Sequence, residues 1–199
     1  LSISPYPSIA VTLAINPPAF VLGSDVEISV TAVTNVSYPI TIFTWPHVFN
    51  LGLAQRRGNF RGWDRDTGMG LPMREIAIDR ASYGHRLGGR DDEFHVTLEP
   101  GKPIKFSPIF FLAHGLSPHM AERRAEGKEY LAEEDAELLP GHRCLLDIRK
   151  DHYDSEVWWK KGRKEDALDL IGRDSRGSVG KSIALSLDAS VEFEVLPLG

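Results

Sequence analysis

The chain has 199 residues, 42% of them hydrophobic and 26% charged, which suits one globular domain spanning 1–199 rather than a disordered tract. Its net charge of −5 argues against a nucleic-acid binder, which presents a basic face. No apolar run reaches the roughly 18 residues a transmembrane helix needs, and Cys144 stands alone, so no internal disulfide can form.

The first segment alternates: Ile9, Val11, Leu13 and Ile15 share one face, and Asn16-Pro17-Pro18 ends the run. Period two with a proline stop predicts a strand. After a turn at Gly23-Ser24-Asp25, Val26, Ile28, Val30 and Ala32 alternate with Glu27, Ser29 and Thr31, a second half-buried strand. Residues 40–45 read as a third, rich in β-branched and aromatic side chains. Its frame puts Ile40 and Ile42 on one face, Phe43 and Trp45 on the other.

From Gln55 to Gly70 glycine and arginine recur, and the segment is expected to be a long loop; long loops in compact domains often carry function. Arg74 to Asp79 reads as a short strand, and residues 80–92 as a second loop holding His85 and Arg86. Phe94, Val96 and Leu98 alternate in a strand that turns at Glu99-Pro100-Gly101 into Ile104–Leu112. Pro108 marks an edge or bulge there.

Ser117-Pro118 reads as a helix cap, and residues 117–139 are expected to form a helical surface insertion with a thin apolar stripe. Strand pattern resumes at Cys144–Ile148, and a short helix is expected over Lys164–Ile171. Trp158 and Trp159 are adjacent, so in a strand they face opposite ways and only one enters the main core. Ile183, Leu185, Leu187, Val191, Phe193 and Val195 hold one alternating frame, with a bend near Asp188. Many strands with helices confined to insertions predict an all-β fold, an antiparallel β-sandwich.

The strands over 9–45, the turn Leu98-Glu99-Pro100-Gly101 before a strand and the closing Ser190–Val195 resemble an immunoglobulin-like sandwich. The likeness is to small Ig-like accessory domains such as protease pro-domains and intracellular proteinase inhibitors. It covers about half the chain and implies the fold, while no functional residue transfers with it. The cysteine pair of antibody domains is absent, and the loops at 55–72, 80–92 and 113–142 depart from a minimal domain.

Chemistry-bearing groups cluster in and beside the loops. His47 follows the third strand in Trp45-Pro46-His47-Val48-Phe49, where an imidazole beside aromatic rings suits a small-molecule pocket. In the site this suggests, His47 is the base, Asp64 orients it and Arg86 holds developing negative charge. Trp45, Arg57, Trp63 and His85 line the ligand. Asp91, Asp92, Glu93 and His95, and separately Asp151, His152 and Asp154, offer metal-type donors without a metal-specific spacing, so no metal or other cofactor is expected. Gly180-Lys181-Ser182 resembles the end of a phosphate loop, but Ser175 stands where that motif needs glycine and the residues after it alternate like a strand. Cys144 in an apolar strand should be inert.

The leading functional expectation is a non-catalytic Ig-like module binding a small molecule or a protein, with no nucleic-acid or membrane partner. The alternative is a cofactor-independent cyclase, isomerase or hydrolase acting on a small, largely apolar substrate. Residues 2–10 lack a signal-peptide pattern and a lone thiol fits a reducing compartment, so the expected location is cytoplasmic.

Overall fold

The computed structural model describes residues 8–21, 24, 26–45, 47–51, 54, 59–71, 87–106, 109–110, 140–149, 156–168, 182–187 and 190–197. Strands β1 (Ser8–Asn16), β2 (Ala19–Val21), β3 (Val26–Thr34), β4 (Ile40–Phe43) and β5 (Phe60–Asp64) come first. A 3-10 turn (Asp92–Phe94) leads into β6 (His95–Leu98), followed by β7 (Ile104–Phe106), β8 (Ile109–Phe110), β9 (Arg143–Ile148) and β10 (Glu156–Lys161). The short helix α1 (Lys164–Leu168), β11 (Ser182–Leu187) and β12 (Ser190–Leu196) complete the order. The fold is all-β, in two sheets. One runs β6-β4-β10-β11-β1-β3-β7, with β8 also on β3; the other runs β2-β12-β9-β5.

The alternation read from the sequence places the core. Ile9, Val11, Leu13 and Ile15 of β1 and Val26, Ile28, Val30 and Ala32 of β3 are buried, and Phe60, Cys144, Leu146, Ile148, Phe193 and Val195 of the second sheet join the same cluster. Both sheets therefore close on one core. Val96, Leu185 and Val191, also expected inside, are partly buried against it. The chain changes sheets between Leu187 and Ser190, where the frame suggested a bend. Ser182 opens β11, while Gly180 and Lys181 lie outside the described residues. β7 and β8 both pair with β3, and Pro108, expected at an edge or bulge, lies outside the described residues.

Several expectations are corrected. The pairing is mixed rather than wholly antiparallel, because β1 runs parallel to β11 and β2 parallel to β12. These partners are remote in sequence, so no hairpin dictates their direction, and alternation carries no information about it. Residues 60–71 form a hairpin instead of a long loop: Trp63 bridges Gly70 and the Leu71 N–H donates to the Gly62 carbonyl at 2.9 Å. Gly62 leaves room for Leu71 there: a Cβ would lie 2.7 Å from Leu71 Cδ1, which would have to shift, and 3.0 Å from the Leu145 carbonyl oxygen. The third strand stops at Phe43 rather than Trp45, and Phe94 belongs to the 3-10 turn. The helical insertion expected at 117–139 and the strand expected at 74–79 lie outside the described residues.

Phe193 is 3% exposed and stacks on Phe20 with ring centroids 5.5 Å apart. Phe193→Ala is expected to lower stability by about 3–5 kcal/mol. Urea unfolding checks this, and a loss below about 1 kcal/mol would place Phe193 outside the packed core.

Candidate functional site

β4 is buried on both faces. Ile40 and Ile42 enter the main core, while Phe43 and Trp45 form a second cluster with Phe94 and Trp158. Trp159 packs on the main core, so the two adjacent tryptophans divide between the faces as their positions require. The Trp45 and Phe94 rings lie 4.9 Å apart. His95 meets Phe43 at 4.9 Å and the edge of Trp158 at 5.7 Å, and its side chain is fully buried.

This second cluster is tied down by Asp92. Lys164 Nζ lies 2.8 Å from Asp92 Oδ2 and the Gly88 N–H donates to Oδ1 at 2.7 Å, with His95 Nδ1 at 4.0 Å. The Lys164 ammonium, followed by the Gly88 N–H, outweighs partial burial and holds the carboxyl below its ordinary value. Of the donors weighed for a metal in this region, Asp92 is thus engaged by Lys164 and Gly88. Asp151, His152 and Asp154 lie outside the described residues.

Trp45 is buried in the second cluster, and His47 is buried in the turn that follows, its N–H donating to the Thr44 carbonyl at 3.0 Å. Trp63 and Asp64 sit on β5, in the other sheet. Arg57, His85 and Arg86 lie outside the described residues.

Asp64 ends β5 on the inner face, opposite Cys144 of β9, and is only 3% exposed. A buried carboxylate needs donors, and the hairpin turn supplies them. The Asp66 and Thr67 N–H groups donate to its Oδ1 at 2.8 and 3.1 Å, an Asx turn. Gly68 closes the turn at φ +74°, a conformation side chains disfavour. His142 Nδ1 lies 2.6 Å from Asp64 Oδ2. Burial alone would raise the Asp64 pKa, but His142 and the turn N–H groups together lower it. The imidazole partner of Asp64 is therefore His142.

Asp66 continues the network across to β9. The Arg143 N–H donates to its Oδ2 at 2.9 Å, and the Arg143 guanidinium reaches Oδ1 at 3.4 Å. Burial, then the Asp64 and Asp66 charges, pushes the neighbouring Cys144 thiol up to about 11, so at neutral pH it is protonated and a poor nucleophile. The sequence analysis singles out neither Asp66 nor His142. Two signals were on hand: the Asp64-Arg65-Asp66 repeat, and a histidine directly after Pro140-Gly141 at a strand entrance.

The outer face of the second sheet carries different chemistry. Arg61 and Trp63 alternate outward on β5, and the Arg61 guanidinium lies 5.2 Å from the Trp63 ring centroid, a cation–π distance. Arg61 also reaches Asp147 Oδ2 at 3.2 Å, and Arg65 pairs with Glu192. Trp63 and Glu192 both register with Leu145, so a half-buried tryptophan and leucine lie among charged groups. Among the described residues no helix is long and apolar enough to cross a membrane. No protein-family model matches the chain, and no curated protein matches it.

Asp92 gives a pH test. Because its pKa is lowered in the folded state, its contribution is complete above the unfolded value near 3.8 and is lost as pH falls through the folded value. Asp92→Asn is expected to destabilise at pH 7, with the gap from wild type closing below about pH 3.8. Urea midpoints at both pH values check this; an equal gap at pH 7 and pH 2.5 would contradict it.

Proposed function

We propose that this chain is a non-catalytic, Ig-like sandwich module that binds an unidentified protein or small-molecule ligand on the outer face of β5, β9 and β12. The observation carrying this reading is the half-buried Trp63, stacked under Arg61 and beside Leu145 on a strand surface. Tryptophan and arginine are the side chains that most often dominate binding energy, especially where a ring of polar groups surrounds them. Asp147, Glu192, Arg65 and Arg143 supply that surround. These groups stand on strands β5, β9 and β12, which pair in one sheet, so the face is held by backbone hydrogen bonds and a ligand would not have to order a loop to bind.

The immunoglobulin-like part of the reading rests on the strand-rich sequence pattern and on two sheets sharing one core. The non-catalytic part draws support from Asp64. Its two oxygens are engaged by the turn N–H groups and by His142, so the acid-base alternative, which needs Asp64 to orient His47, gains nothing from the geometry. The location read from the sequence, the cytoplasm, belongs to the same proposal.

A screen of fragments and short peptides, read by the assigned Trp63 indole resonance, tests the reading. Binders are expected to move that resonance, and Trp63→Ala should weaken them about tenfold or more, near 1.4 kcal/mol, without lowering the melting temperature. Binders that move only distant resonances, and bind Trp63→Ala equally well, would contradict it.

A further inference from the structure

Asp64, Asp66 and His142 bring three donor atoms within 4.8 Å of one another. We propose that these three residues bind a divalent cation of the zinc class, at the end of β5 and the entrance to β9. This is a different place from the outer face bearing Trp63, and the inference does not depend on that face binding a ligand.

The donor set is the first argument. It pairs an imidazole nitrogen with two carboxylate oxygens, a combination suited to zinc, manganese or iron, whereas magnesium and calcium favour oxygen alone. The imidazole nitrogen distinguishes the set from a purely carboxylate cluster, and Asp64 is not at the surface, being 3% exposed.

The second argument is preorganisation. The Asp66 and Thr67 N–H groups hold Asp64 Oδ1, which leaves Oδ2 facing His142 Nδ1. The Arg143 N–H holds Asp66 Oδ2 in the same manner, which leaves Oδ1 as the donor. Metal-ligating carboxylates are held in this way by outer hydrogen bonds.

The geometry needs one adjustment. Oδ2 and Nδ1, now 2.6 Å apart, must open to about 3.3 Å, the separation two ligands take at a tetrahedral centre with bonds of about 2.0–2.1 Å. Side-chain rotation of the partly exposed His142 supplies it. The cation must also displace the Arg143 guanidinium, which sits 3.4 Å from Asp66 Oδ1 on a side chain 65% exposed. Exposed pairs of this kind contribute little, so the displacement is cheap. Three protein ligands leave a fourth position open to water or to a carboxylate or thiolate from a bound molecule.

The test uses the full untagged chain, stripped with chelator. Titration calorimetry with zinc chloride and visible spectroscopy with cobalt(II) should show one site per chain, micromolar or tighter, with intense tetrahedral cobalt bands. His142→Ala should weaken cobalt binding at least tenfold. Asp66→Asn, which keeps the turn and lies at the surface, should do the same with an unchanged melting temperature, so the test survives if His142→Ala fails to fold. Absence of binding at 1 mM metal, unchanged affinity in both variants, or equal affinity for magnesium would overturn the proposal and leave a purely structural ion-pair network.

Discussion

The Asp64 carboxylate lies at the end of a strand with almost no exposure to water, and a charge held there must be matched by donors or give up its ionisation. That constraint shapes one end of the protein. Matching Oδ1 requires the tight turn at 64–68, and the turn sends the chain back so that Leu71 covers Gly62. Matching Oδ2 requires His142 at the entrance to β9. The same turn presents Asp66 to the Arg143 backbone. The hairpin is thereby joined to β9 through side chains as well as through the strand ladder.

The other end obeys a different rule. β4 has neighbours on both faces, so it is buried on both; Thr41, the polar residue between its isoleucines, is matched by donating its hydroxyl to the Gly162 carbonyl at 2.9 Å. Ile40 and Ile42 face the shared core; Phe43, followed by Trp45, faces the second cluster with Phe94, His95 and Trp158. Asp92 and Lys164 close that cluster from outside, and the Lys164 N–H also donates to Thr97 Oγ1 at 2.9 Å. The short helix α1 is thus pinned to β6 by polar contacts.

What was legible in the sequence was whatever period two controls. β1, β3 and the frame from Ile183 to Val195 show it, and the split of Trp158 from Trp159 follows from the same rule. Strand direction was not legible, because β1 and β11 are too far apart in sequence for a turn to set it. The β5 hairpin was hidden for a physical reason. Its inward positions are Phe60, Gly62 and Asp64, of which only the first is apolar, since glycine makes room for Leu71 and aspartate is matched by hydrogen bonds. The site suffered likewise. Trp45, Trp63, His47 and Asp64 were singled out as chemistry near strand ends, but which residues meet depends on sheet membership. Asp64 meets His142, 78 positions on, and spacing along the chain carries no trace of that meeting.

If the buried Asp64–His142 contact organises this end of the fold, the two side chains must depend on each other energetically. A double-mutant cycle of Asp64→Ala and His142→Ala in chelator-treated protein, read by urea unfolding at pH 7, measures that dependence directly. The account predicts a coupling of about 1.5–3 kcal/mol, the range for a hydrogen bond to a charged group. Effects that add to within about 0.5 kcal/mol would show two independent residues and contradict it.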